Sequence, residues 1–300
     1  MNFFLALTIK NFGLKWLKYF AILRFFEEKA MKHWITMIFI IAIVSLASIQ
    51  AELILYWSMN EGSGSILSDG SNSTTSYTGS LTNMDSSAWV QGRSGYGLNF
   101  DGTNDYVIND KGEILGSELF GTGHNGTITT SIWFYARRGG VIVDEVNASR
   151  NWHDSQIEIL DTGEVRVRVW AMNSVSLGTA SLNNWHHVVL RYNGSTSTLD
   201  GFLDGQEAVS DVVQERNNNP YGYSGHAYYP LGLADTTNLG DGRYFSGMLD
   251  EFRIYNHALS STEISQLYQN PSGIIPEASA FLFVALGLTL YILGKKALWI

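Results

Sequence analysis

The stretch "NNWHHVVLRYNGSTSTLDGFLDGQEA" (Asn183 to Ala208) reads as one strand, a turn, and a hairpin. "WHHVVLRY" is rich in β-branched and aromatic residues with polar residues interleaved, the pattern of a half-buried antiparallel strand. Asn193-Gly194 ends it. Asp204-Gly205 then sits between "GFL" and "QEAV", where two residues able to take positive φ close a tight hairpin.

The same signals recur outward from this point. "ELILYWSMN" is β-rich and opens the series at Glu52. "TITTSIWFYAR" places Ile128, Thr130, Ile132 and Phe134 on one face. "EVRVRVWA" puts Val165, Val167 and Val169 on one side and Arg166 and Arg168 on the other. "YFSGMLDEFRIY" (Tyr244 to Tyr255) reads likewise. One helix is expected, "SSTEISQLYQ", with Ser260 as N-cap and Glu263 three residues on as its capping-box partner. Its apolar face is Ile264, Leu267 and Tyr268. Many short strands with turn clusters, no internal repeat and no linker predict one all-β sandwich over 52–270. Trp57, Trp133 and Trp185 are expected in the core between the sheets, and His187 on the sheet with a hydrogen-bond partner. Gly247 marks a spot where the closing strand crosses a neighbour.

Composition narrows the chemistry. The 300 residues contain no Cys, which excludes disulfides, thiolate metal sites and a Cys nucleophile. Residues 1–51 carry a local charge of +4 and residues 52–277 a local charge of −15, with Lys111 the only lysine in the latter. An acidic body repels phosphate backbones, so nucleic acid is not an expected partner. The same acidity suits hard cations that take oxygen ligands, or serves solubility alone.

The two ends read as targeting segments. From Met31, Lys32 and His33 precede the apolar run "WITMIFIIAIVSL" (Trp34 to Leu46) and small residues follow, so 31–51 reads as a signal peptide with cleavage after Ala51. Residues 1–30 are basic, aromatic and roughly amphipathic. They read as an upstream extension from a misplaced start, or as an interfacial helix. At the other end Pro271-Ser272-Gly273 leads a linker (271–277), and Ala278 to Leu293 is uncharged before Lys295 and Lys296. This 278–300 segment predicts a transmembrane stretch whose basic end stays cytoplasmic.

Pro276-Glu277, the apolar run and the lysines together resemble the PEP-CTERM sorting tag, with Ala278 in place of the usual second Pro. The resemblance implies a sorting motif at Pro276 and Glu277, transient membrane anchoring, cleavage by an exosortase-type enzyme, and delivery to the surface or matrix. An ordinary C-terminal anchor is the other reading of the same segment.

The body, too, carries a resemblance. "YWSMNEGSGSILSDGS", "WVQGRSGYGLNFDGTNDYVI", "SIWFYAR", the stretch quoted first, and "FSGMLDEFRIYNHALSSTEISQLY" follow one another as in the laminin-G-like, pentraxin-related jelly roll of the concanavalin-A-like superfamily. The resemblance implies a two-sheet antiparallel jelly roll with one short C-terminal helix. It also implies a calcium site built from two loops, pointing to Asp154 in "WHDSQIEIL" and to Asp235 and Asp241 in "LGLADTTNLGDGRYFSG". It places the strands following those loops side by side. Asn60, Asp69, Asp101 and Asp250 belong to the family's motifs, either as a second cation site or as turn caps.

Hydrolysis of glycosidic bonds needs two converging carboxylates. Glu158 and Asp161 are three apart and face opposite sides of a strand, and "DEV" (Asp144 to Val146) offers no better pair. Ser, His and Asp are present without a nucleophile-elbow context. The sequence therefore predicts no enzyme. Its ligand-binding candidates are Trp152 in "NASRNWHD" and Tyr221 and Tyr223 in "NNNPYGYSGHAYYP", whose rings can stack on sugar faces while neighbouring Asn and Asp bond the hydroxyls. Packing of those loops is the alternative role. Tyr228 and Tyr229 are expected to be structural. The expected function is recognition or adhesion toward polysaccharide, with a ligand-free matrix protein or a hydrolase as alternatives.

Overall fold

The computed structural model describes residues 53–120, 126–146, 153–169, 172–214, 228–233 and 243–273. All of them belong to one compact unit, Ala51–Val284. The expected signal peptide and membrane stretch lie outside them, and no described helix is long and apolar enough to cross a membrane.

The first layer is an eight-stranded sheet. Its order is β14 (Gln206–Val213), β13 (Thr198–Leu203), β12 (Trp185–Asn193), β7 (Ile128–Ala136), β15 (Ser246–Tyr255), β5 (Tyr96–Asp101) and β4 (Trp89–Gln91), with β1 (Leu53–Trp57) also paired to β15. Every pairing is antiparallel. The β13–β14 hairpin closes through Asp204 (φ 52°) and Gly205 (φ 74°), the double positive-φ turn its Asp-Gly predicts. On β15 the register slips between Asp250 and Arg253, with Glu251 at φ 57°, so the strand bends as it passes from β5 to β1 as neighbour. A Cβ at Gly247 would sit 2.1 Å from the Tyr135 carbonyl oxygen, so the close crossing requires glycine.

The second layer holds two smaller sheets. One is β2 (Ile66–Leu67), β3 (Gly79–Thr82) and β6 (Tyr106–Asn109); the other is β11 (Val175–Thr179), β10 (Glu164–Val167), β9 (His153–Ile159) and β8 (Gly140–Val146). The segment 228–231 lies between them, bridging Val107 and Val143 through Leu231 and Val146 through Tyr228. The core packs Ile132, Phe134, Leu190 and Leu249 from the first layer against Ile157, Val165, Val167 and Leu231 from the second.

The closing helix (Ser261–Gln269) has both bonds of the capping box between Ser260 and Glu263. Ile264 and Leu267 pack on Val189, Phe202 and Tyr255 on the outer face of the large sheet. Three expectations need correction. Trp133 and Trp185 are not between the sheets. They point outward, because they share the side of β7 and β12 that carries Ser131, His187 and Arg191, and of the three tryptophans only Trp57 joins the inter-sheet core. A second helix, Gly112–Phe120, was not expected; Leu115 and Leu119 bury its inner side despite glycines at 112 and 116. Asp154 belongs to β9 rather than to a loop, opposite Glu145.

Candidate functional site

The site begins at one end of the second layer. Val146 and Tyr228 exchange backbone hydrogen bonds of 2.9 and 2.8 Å. His153 pairs with Val146 on the other side. Gln214 closes the row, accepting from Val169 N–H at 3.1 Å and donating to the Asn173 carbonyl at 2.9 Å. So the segment 147–152 is anchored at Val146 and His153, and the segment 215–227 at Gln214 and Tyr228. Val146, His153 and Tyr228 pair at one end of the second layer, and Gln214, just past β14 of the first layer, reaches across to Val169. Trp152, Tyr221 and Tyr223 themselves lie outside the described residues.

Beneath these anchors is a buried polar network. Glu145 Oε2 accepts from Gln156 Nε2 at 2.9 Å, and the Tyr229 hydroxyl reaches Glu145 Oε1 at 3.4 Å. Tyr229 N–H donates to Asn109 Oδ1 at 2.9 Å, and the ring is fully buried, as expected for a structural residue. Farther along β9, Glu158 is buried and ion-paired with Arg243. Arg168 Nε donates to the Ser155 carbonyl at 3.1 Å. Sequence reading missed this network, although Gln156 and Glu158 alternate with Ile157 and Ile159 on β9 and so mark a polar face.

Of the acids that the family resemblance points to for calcium, Asp154 lies on β9. Leu233 and Arg243 flank the segment bearing Asp235 and Asp241, which lie outside the described residues. Arg243 is held by Val141 N–H donating to its carbonyl at 3.0 Å, and by Glu158. From Glu158 to Asp154 is four residues of strand, about 13 Å. The strands that follow the two loops, β9 and β15, stand in different layers rather than side by side. Among the described residues no three His, Asp or Glu side chains group as a metal site. The motif residues accept backbone hydrogen bonds. Asp69 accepts from Tyr56, Ser71 and Tyr77 N–H, Asp101 from Thr103 N–H, Asn60 from Tyr96 N–H, and Asp250 from Ser94 N–H.

One histidine, His186, has acid and hydroxyl neighbours in the order that nucleophilic catalysis uses. His186 Nδ1 lies 2.7 Å from Asp204 Oδ2, and its Nε2 lies 3.0 Å from Ser181 Oγ and 3.2 Å from the Ser181 carbonyl. A carboxylate only accepts, so Nδ1 donates to Asp204, while Nε2 faces both the hydroxyl and the carbonyl of Ser181. The Asp204 hydrogen bond raises the His186 pKa accordingly. This grouping locks the turn before β12. His187 bonds Ser131 Oγ at 2.9 Å, as expected for a sheet histidine, and burial drives its pKa down to about 3. It is fully buried.

Comparison with known proteins agrees with this architecture. The family described as the concanavalin A-like lectin/glucanases superfamily (Laminin_G_3) matches residues 101–265. No curated protein matches the chain. Among solved structures, Trypanosoma rangeli sialidase in complex with sialic acid is similar over 74% of this chain and 36% of its own, at 16% identity and a TM-score of 0.52. The same sialidase with a difluorosialic acid covalent intermediate gives 76%, 36%, 15% and 0.53. This chain thus spans about a third of those sialidases' length, and the likeness is one of fold. Domain 4 of an extracellular arabinanase from Geobacillus stearothermophilus, in complex with arabinotriose, is covered completely by 73% of this chain at 17% identity, with a TM-score of 0.47. Two antiparallel layers, the hairpin at Asp204-Gly205, the capped closing helix and a family match over more than half the residues lead to one conclusion: the chain belongs to the concanavalin A-like lectin/glucanases superfamily.

Proposed function

We propose that the domain is a non-catalytic carbohydrate-recognition module, exported, anchored at least transiently, and delivered to the cell surface or matrix. The observation that carries the recognition reading is the Val146–Tyr228 bridge. It pairs Val146, which precedes the segment bearing Trp152 in sequence, with Tyr228, which follows the segment bearing Tyr221 and Tyr223. Binding sites on sandwiches are commonly made by loops gathered at one end of a rigid scaffold.

The non-catalytic reading rests on where the carboxylates are engaged. Glu145 is bonded to Gln156 and Tyr229, Glu158 to Arg243, and Asp161 accepts from Gly139 N–H at 2.8 Å. Each serves the fold rather than facing a common point. Calcium at Asp154 would draw the rest of its oxygen ligands from Asp235 and Asp241. Export by the 31–51 signal, sorting at Pro276 and Glu277 by an exosortase-type enzyme, and anchoring by 278–300 complete the proposal. Incubation of the chain with polysaccharides, followed by a reducing-end assay and a glycan array with and without calcium, tests it. Binding without new reducing ends is expected. New reducing ends would make the domain a hydrolase, and no binding would make it a structural matrix protein.

A further inference from the structure

The outer face of the large sheet changes character along its length. Under the closing helix it is buried and packed. The row Asp250–Trp133–His187 is the last one covered: Tyr268 stacks on Trp133 at 5.4 Å and 11°, and the Arg93 guanidinium lies 4.4 Å from the Trp133 ring. The next row is Asn99–Met248–Tyr135–Trp185, four direct cross-strand neighbours on β5, β15, β7 and β12. All four are partly exposed. The Tyr135 and Trp185 rings meet edge to face, 5.9 Å apart at 63°.

Such a row is costly to leave facing water. Every other outward side chain of β12 finds cover or a partner: His187 lies beneath Tyr268, Val189 packs on the helix, and Arg191 pairs with Asp200 at 2.8 Å. Trp185 instead lies partly exposed beside Tyr135, whose other neighbour is Met248. The row spans three strand spacings, about 14 Å, long enough for a short run of sugar rings. Around it stand exposed guanidinium groups. Arg137 Nη2 donates to Asn99 Oδ1 at 2.6 Å, Arg138 Nη2 to the Gly102 carbonyl at 2.6 Å, and Arg93 borders the row over Trp133. The carboxylate of neighbouring Asp101 is already engaged with Thr103 N–H. On a body of local charge −15, this is a basic island around an aromatic floor.

We propose that this row is a second saccharide platform, on which a chain of uronic acid rings lies with its C–H faces on Tyr135 and Trp185 and its carboxylates on Arg137 and Arg93. The aromatic floor supplies apolar contact of low ordering cost. The guanidinium groups supply charge-assisted hydrogen bonds that neutral glycans cannot accept as strongly. The platform rests on the carbohydrate reading of the chain but uses none of the residues of the proposed loop site.

Affinity electrophoresis of the full chain through gels containing alginate or dextran tests it. Retardation by alginate, weakened by salt, is expected, with little by dextran. A Tyr135→Ala, Trp185→Ala variant is expected to bind alginate about tenfold more weakly. Arg137→Gln, a surface change that leaves the sheet packing alone, is expected to lose part of the salt dependence. A Trp152→Ala, Tyr221→Ala, Tyr223→Ala variant is expected to keep its alginate retardation. Alginate retardation unchanged in both the aromatic and the arginine variants overturns the platform and leaves the loop site standing. A chain retarded by neither gel and bound by no glycan on an array overturns both.

Discussion

Val146 and Tyr228 pair as antiparallel neighbours through two backbone hydrogen bonds. They join residues 82 positions apart in sequence at the point where two aromatic-bearing segments leave the sandwich. The pair holds one end of each segment and contributes no side-chain chemistry. Because backbone groups make the pair, substitutions at 146 or 228 are expected to act on stability through packing, and on the proposed reading binding depends on Trp152, Tyr221 and Tyr223.

Asp250 confers a pH dependence on stability. It is fully buried, and burial raises its pKa to about 8, against Ser94 N–H, which favours the carboxylate. Between the ordinary carboxylate range and about pH 8, the unfolded chain releases a proton that the folded chain keeps. Stability therefore falls as pH rises through that window and levels off above it. Urea melts across the window are expected to show this slope, and Asp250→Asn, which keeps an acceptor for Ser94, is expected to flatten it. An unchanged slope in the variant would assign it to another group.

His186 acts in the same sense in a higher window. Its pKa is raised by Asp204, so its contribution is complete below the unfolded imidazole range and is lost as pH rises through the folded value. His186→Gln is expected to cost about 1 kcal/mol at acid pH, with the deficit shrinking as pH rises. An imidazole NMR titration that found the ring no more basic than an exposed histidine would contradict the raised pKa.

Tyr268 holds the closing helix to the sheet. Its ring stacks on Trp133 and lies near His187. Tyr268→Ala is expected to cost about 3 kcal/mol, the range for removing a packed aromatic side chain. Tyr268→Phe is expected to be nearly neutral. A full-size loss in the Phe variant would shift the weight from the ring to the hydroxyl.

Calcium linkage is measurable by melting. Binding only the folded state at a hundred times the dissociation constant adds about 2.7 kcal/mol. A calcium-dependent rise in Tm, lost in an Asp154→Ala, Asp235→Ala variant that keeps its fold, is expected. A rise retained by the variant would place the ion elsewhere, and no rise would remove it.

The fold was legible where local chemistry decides it. Asp204-Gly205 can close a two-residue hairpin in few other ways, and Ser260 with Glu263 announces its helix. Val165 and Val167 alternate with Arg166 across a true half-buried strand. What could not be read was which side of a sheet faces the partner layer. Trp133 and Trp185 are large and aromatic, and such residues are usually placed in a core. Their outward position depends on register with Ser131 and Arg191, visible only once β7 and β12 are paired. The Gly112–Phe120 helix hid behind two glycines, and its burial comes from tertiary contacts rather than propensity. The candidate site was legible as residue types only. The acids needed to know which layer each strand joins, and that choice is made by long-range pairing such as Val146 with Tyr228.

The central claim is that loops at one end of the second layer recognise a glycan. The most direct measurement is a glycan array probed with the full chain and with its Trp152→Ala, Tyr221→Ala, Tyr223→Ala variant. The wild-type chain is expected to bind a restricted set of glycans, and the variant to bind that same set at least about tenfold more weakly while melting at the wild-type temperature. Identical binding by both chains, or no glycan bound with or without calcium, would contradict it.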